Sequence, residues 1–223
     1  MSTSDDLSIR ITGIEPWDPP DGEPGRSMTL HTTRGDVRSI VHHDQEVRTT
    51  KGIIWVWGAR GGFAGPAEGI YRDLAEELRH EITSVRIDYR QPNVIPECVM
   101  DTLVGVSFLT GTGHTDIALV GHSFGGAVVI SAAPFSEEVK AVAALSSQTY
   151  GAQRAALVSP RPLLLAHGGS DTRLPSYCSE QIHTWAEEPK ELVIYPGAEH
   201  GLVECKDELR PMLRDWLRAK LGL

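Results

Sequence analysis

From Lys51 onward the chain alternates short runs that are apolar throughout with longer segments whose apolar residues recur at helical spacing, and no other feature constrains the fold as tightly. Ile53–Trp57, Val85–Ile87, Ile117–Val120, Ala141–Leu145, Leu163–Ala166 and Leu192–Tyr195 are runs of strand length. Between them, Ile70, Leu74 and Leu78 mark one helix face, and Val99, Leu103 and Val106 mark another in a helix beginning near Pro96. Phe124–Ala133 reads as a helix of small residues. Leu209, Met212, Leu213, Trp216 and Leu217 fall at i, i+3, i+4, i+7 and i+8 of a terminal amphipathic helix. A strand with no polar alternation is covered on both faces, and helices between such strands supply the cover. The expectation is a doubly wound, mostly parallel α/β sheet with helices on both faces, its ligand crevice at the carboxyl ends of the strands.

The first fifty residues read differently. Met28–Thr32 and Val37–Val41 alternate about Thr33-Arg34-Gly35-Asp36, the pattern of an antiparallel hairpin. Before it, Trp17–Gly25 is dense in turn formers and is expected to be an exposed loop. His42 and His43 are strand neighbours pointing to opposite faces, which makes them surface residues rather than paired metal ligands. At 223 residues, with no linker or repeat, the chain is expected to form one domain, residues 1–50 adding strands and a loop to a core over 51–223.

A net charge of −9 gives no basic footprint for nucleic acid. No apolar run approaches the roughly 20 residues that span a bilayer. Met1–Asp6 lacks the basic start and apolar stretch of a secretory signal, so the chain reads as cytoplasmic. Cys98, Cys178 and Cys205 are odd in number and widely spaced, as suits buried or incidental reduced thiols. The 22 glycines, about a tenth of the chain, are the unusual count, and their placement matters.

Directly after Ile117–Val120 comes Gly121-His122-Ser123-Phe124-Gly125-Gly126, containing G-x-S-x-G. At this composition the pentapeptide would arise by chance about 0.15 times, so its context decides. A strand that ends at Val120 and a helix that starts at Phe124 force the serine into a sharp turn, where only glycines avoid collision and where helix N–H groups face developing negative charge. Here the chain resembles the α/β-hydrolase superfamily. That superfamily's order of Ser, acid and His continues in His167-Gly168-Gly169-Ser170-Asp171-Thr172-Arg173-Leu174-Pro175, similar to an H-G-x-x-D-x-x-x-P stretch, and in Pro196-Gly197-Ala198-Glu199-His200-Gly201. The resemblance, from about Ile53 to Leu217, implies Ser123 as nucleophile, His200 as its base and Asp171 as the acid that orients the base. Asp171 as a helix cap and His200 as a loop histidine are the bland alternatives. Glu199 and Asp88 are the rival acids, and His122 and His167 fit packing or hydrogen-bonding roles.

The resemblance also implies an oxyanion hole from the amides of Phe124 and of Ala59, or Arg60, in Trp57-Gly58-Ala59-Arg60-Gly61-Gly62-Phe63. Arg60, Phe63, Tyr89, Arg90, Gln148 and Tyr150 follow strand ends and are candidates to line the substrate pocket, Arg60 or Arg90 as a seat for a carboxylate. Only Ser146–Arg161 separates Leu145 from Pro162, too little for a separate cap, so a shallow pocket for small or flexible acyl groups is expected. The chain is most like capless carboxylesterases and dienelactone-hydrolase-like members, departing from the latter in carrying Ser123 where those enzymes carry Cys. The implied reaction is hydrolysis of a small-molecule ester through an acyl-enzyme, with no metal and no organic cofactor. A thioesterase or lactone hydrolase is the near alternative, and a non-catalytic binding module on the same fold the distant one. Oligomeric state does not follow from the sequence.

Overall fold

The structure is a computed structural model and describes residues 8–19 and 22–223; the Met1–Asp6 stretch lies outside them. Among the described residues, nine strands form one sheet: β1 (Ile11–Pro16), β2 (Arg26–Thr32), β3 (Gly35–His42), β4 (Lys51–Val56), β5 (Thr83–Asp88), β6 (Asp116–His122), β7 (Val139–Leu145), β8 (Leu163–Gly168) and β9 (Lys190–Tyr195). Their order is β1-β2-β3-β5-β4-β6-β7-β8-β9. The pairs from β1 to β5 through β3 are antiparallel, and the pairs from β5 to β9 through β4 are parallel. The α-helices of the described residues are α1 (Ile70–Leu78), α2 (Ile95–Gly111), α3 (Phe124–Ala132), α4 (Tyr177–Trp185) and α5 (Lys206–Lys220).

The central strands are apolar throughout because each face meets its own helix layer. In β4, Ile54 and Val56 belong to one hydrophobic cluster with α2, α3 and α4 residues such as Val104, Val128 and Ile182, whereas Ile53 and Trp55 belong to a second with Leu74 of α1 and Leu213 of α5. β6 divides the same way, Ile117 and Leu119 to one layer and Ala118 and Val120 to the other. The hairpin Met28–Thr32/Val37–Val41 lies inside the β2–β3 pair, with Thr32 opposite Gly35. Strand β1 and helix α4 carry no equally clean period, and neither was expected from the sequence. Nor is His42 a surface residue: it is 1% exposed, and its Nδ1–H donates to the Glu76 carboxylate at 3.0 Å.

A buried arginine runs against the apolar character of the sheet. Arg86 of β5 is fully buried; its Nε–H donates to His42 Nε2 at 3.1 Å, Nη1 to the Phe63 carbonyl at 3.2 Å, and Nη2 to the Pro24 carbonyl and the Glu23 carboxylate. His42 can accept because burial, reinforced by the Arg86 charge, pushes its imidazole down to about 3 and keeps it neutral. Arg86 thus ties the N-terminal segment to the loop that follows β4. Arg86→Met removes every donor and strands a carboxylate, so we expect a loss of about 3 kcal/mol or more, read as a lower urea midpoint. A midpoint unchanged from the parent protein would refute this role.

Candidate active site

The chain leaves β4 toward β5 on one side and leaves β6 toward β7 on the other, so the loops after β4 and β6 diverge and open a crevice at their carboxyl ends. Ser123 sits there, between β6 and α3, with φ 58° and ψ −119°, a backbone conformation that costs an L-residue roughly 1–3 kcal/mol. The strain is offset by a dense clamp. Ser123 N–H donates to Leu145 O at 2.8 Å, and its carbonyl accepts from Gly126 N at 3.1 Å and Gln148 N at 3.3 Å. Glycine is required on both sides: a Cβ on Gly121 would overlap the Gly125 carbonyl, and one on Gly125 would overlap the Trp57 carbonyl.

The acid and the imidazole arrive from two neighbouring strand ends. Asp171 follows β8, and its Oδ1 accepts from the amides of Arg173 at 2.9 Å and Leu174 at 2.8 Å. His200 follows β9; its Nδ1 is 2.7 Å from Asp171 Oδ2 and its Nε2 is 3.0 Å from Ser123 Oγ. The three side chains named from the sequence form one hydrogen-bonded chain. Burial by itself would raise the Asp171 carboxyl, but the Leu174 amide and the His200 imidazole outweigh it and hold it below the ordinary carboxylate value. Because that anion only accepts, His200 Nδ1 carries the proton and Nε2 is free to accept from the Ser123 hydroxyl.

Neither rival acid reaches His200. The Glu199 carboxylate accepts from the amide and hydroxyl of Thr172, both at 3.0 Å, and so pins the acid loop to the histidine loop. Asp88 accepts from the Gly62 amide at 2.6 Å and orders the loop after β4. His122 Nε2 lies 2.9 Å from the His200 carbonyl and donates to it, holding the backbone of that loop; burial pushes its imidazole down to about 3. His167, also fully buried, touches Asp171 itself, with Nε2 3.1 Å from Oδ2.

The glycine loop lies against the serine: a Cβ on Gly58 would stand 3.7 Å from Ser123 Cβ. Among the described residues, the amides of Ala59, Arg60 and Phe124 have no hydrogen-bond partner within the chain. Three N–H groups are therefore unspent in the neighbourhood where a carbonyl oxygen would lie, and the choice between Ala59 and Arg60 stays open. Among these residues, no group of three or more His, Cys, Asp or Glu is placed to hold a metal ion.

The pocket candidates separate into two groups. Arg60 and Tyr150 are exposed, and Phe63 is half-buried and stacked on Trp17 at 5.9 Å between ring centroids. Tyr89 and Arg90 do not line an open pocket. Tyr89 is 5% exposed, its hydroxyl donates to the Trp57 carbonyl at 3.0 Å, and its ring meets Phe124 edge-on, so it supports the loop from beneath. Arg90 has each of its three guanidinium nitrogens engaged, by Asp101, the Arg34 carbonyl and Glu97, and its side chain is buried, so it is turned away from a substrate carboxylate. Position after a strand does not reveal which way a side chain turns, so the sequence alone places both among the pocket candidates.

Ser123 itself is half-buried. The segment between β7 and β8 contains a single short 3₁₀ turn, Ala155–Val158, and a concavity of about 620 Å³ bounded by Thr50, Thr83 and His114 lies at the opposite, amino end of the strands. No helix among the described residues is long and apolar enough to cross a membrane.

Comparison with known proteins fits this geometry. YfhR of Escherichia coli K12, itself uncharacterized, is 49% identical over 45 residues, which make up 20% of this chain and 16% of that protein, so the match spans a small part of the relative. Est1E from Butyrivibrio proteoclasticus superposes with a TM-score of 0.74 at 16% identity, over 90% of this chain and 100% of that one. A dienelactone hydrolase from Anabaena variabilis superposes with a TM-score of 0.73 at 18% identity, over 93% and 99% of the two chains. Identities this low speak for the fold, an α/β-hydrolase fold. The profile of the dienelactone hydrolase family matches residues 49–215, from the residues just before β4 into α5, and so takes in Ser123, Asp171, His200 and the glycine loop. By that match the chain belongs to the dienelactone hydrolase family of α/β-hydrolases.

Proposed function

We propose that the protein is a serine hydrolase that cleaves carboxylic esters of small or flexible acyl groups through an acyl-enzyme on Ser123. The observation that carries this reading is the unbroken run from Ser123 Oγ to His200 Nε2 at 3.0 Å and from His200 Nδ1 to Asp171 Oδ2 at 2.7 Å, beside unspent backbone N–H groups. A serine hydroxyl is a weak nucleophile near neutral pH, so His200 takes its proton as Oγ attacks the substrate carbonyl, and Asp171 stabilises the imidazolium that results. The amides of Phe124 and of Ala59 or Arg60 hold the oxyanion of the tetrahedral intermediate, each contributing on the order of 3 kcal/mol. His200 then hands the proton to the departing alkoxide, and the alcohol leaves. Water attacks the acyl-enzyme with His200 again as base, which releases the acid and regenerates Ser123.

The short connection between β7 and β8 favours short or flexible acyl groups, with acyl thioesters and lactones as substrates of the same machinery. The test is a panel of short acyl esters, acyl thioesters, lactones and amides assayed with the purified chain. We expect turnover of at least one ester and none of unactivated amides. Absence of turnover across esters, thioesters and lactones would defeat the reading and favour a binding role.

A further inference from the structure

The buried His167 has no part in the run from Ser123 to Asp171, yet it shares an oxygen with His200. We propose that His167 is a positioning residue of this site: its Nε2–H gives Asp171 Oδ2 a second donor and thereby fixes the carboxylate that orients His200. The proposal rests on the hydrolase reading above, and its test includes one readout independent of turnover.

The tautomer follows from the partners. His167 Nε2 lies 3.1 Å from Asp171 Oδ2 and 3.0 Å from the Leu174 carbonyl, and a carbonyl oxygen can only accept, so Nε2 carries a proton. Burial lowers the tendency of this imidazole to take a second proton, which leaves Nδ1 as an acceptor for the hydroxyl of Ser179 on α4, 2.7 Å away and itself fully buried. Asp171 then receives four N–H donors: the Arg173 and Leu174 amides on Oδ1, and His167 and His200 on Oδ2. A carboxylate with its lone pairs so occupied cannot turn without breaking bonds. Its orientation therefore persists when His200 gains the Ser123 proton, the moment at which a loosely held acid would shift. Around this pair, His122 lies 4.8 Å from the His200 ring and Cys178 interacts electrostatically with Asp171. Burial pushes the first down and the second up, so both are uncharged near neutral pH. Glu199 is engaged by Thr172, and the exposed Arg173 contributes only its amide.

Two amide substitutions separate donation from packing. In His167→Gln the side-chain N–H falls near the former Nε2 and keeps the donor to Asp171; in His167→Asn the amide reaches only the Nδ1 level, toward Ser179. We expect Asn to lower kcat/KM by about 10- to 100-fold and Gln to restore most of the loss, because a hydrogen bond to a charged group is the interaction removed. With one donor fewer the carboxylate is the stronger base toward imidazolium, so the acid limb of the kcat/KM profile should move to higher pH in Asn and stay in place in Gln. Nitrogen-15 NMR of the unmodified protein should find His167 neutral and protonated on Nε2, whether or not any ester is turned over. A proton on Nδ1, an Asn variant with parental rate and profile, or a Gln variant as impaired as Asn would each overturn the proposal. A protein with the expected tautomer but no hydrolytic activity would instead refute the hydrolase reading and leave the contact standing.

Discussion

Ser123→Ala is expected to lower kcat/KM for ester hydrolysis by on the order of 10⁴- to 10⁶-fold, the loss seen when a nucleophile acting as one unit with its base is removed. The fold should survive, because what holds position 123 is backbone: its N–H on Leu145 and its carbonyl on Gly126 and Gln148. Alanine keeps the same strained φ of 58° at no extra steric demand, so circular dichroism and the thermal midpoint should match the parent within a few degrees. Steady-state kinetics on one ester, measured beside the melting curve, checks both halves. Activity retained within tenfold in a folded variant would exclude Ser123 as nucleophile.

Asp171→Asn is the second large effect, about 10⁴-fold in kcat, and here the hydrogen-bond inventory dictates the mechanism of failure. The amides of Arg173 and Leu174 need an acceptor at the Oδ1 position, so the new carboxamide must place its oxygen there and its NH₂ at the Oδ2 position. That NH₂ faces His200 Nδ1, which must then accept, so the proton moves to Nε2 and the imidazole can no longer take one from Ser123. The same NH₂ faces His167 Nε2–H, donor against donor, which adds a stability loss of about 1–3 kcal/mol that Ser123→Ala does not share. The pair of variants thus separates two outcomes: inactive with parental stability at Ser123, inactive and less stable at Asp171. Equal stability in both would contradict the double occupancy of Oδ2.

How much of this was legible in the residues depends on how local each signal is. The strand–Gly121-His122-Ser123-Phe124-Gly125–helix turn is local, and the sharp bend it predicts is the one observed. The apolar runs located the parallel strands because burial on both faces leaves a signature within five residues, whereas β1, with one exposed face and a register shift between Ile11 and Gly13, leaves none. Roles that depend on the direction of a side chain were not legible. Tyr89 and Arg90 follow β5 as pocket residues would, yet both turn inward, toward Trp57 and Asp101. His42 illustrates the same limit: alternation assigned it a face, and only the buried Arg86 explains why that face is internal. Asp88 was weighed solely as a rival acid, because nothing in the sequence joins it to a glycine amide 26 residues earlier.

The proposed reaction requires a covalent bond to form at one oxygen, Ser123 Oγ. Treating the folded protein with a fluorophosphonate, then measuring intact mass and mapping the modified peptide, tests this without knowledge of the natural substrate. The expected result is one phosphonyl group per chain, on Ser123, absent in Ser123→Ala and absent when the protein is denatured before treatment. Folded protein that gains no adduct, or gains it on a residue other than Ser123, would contradict the account.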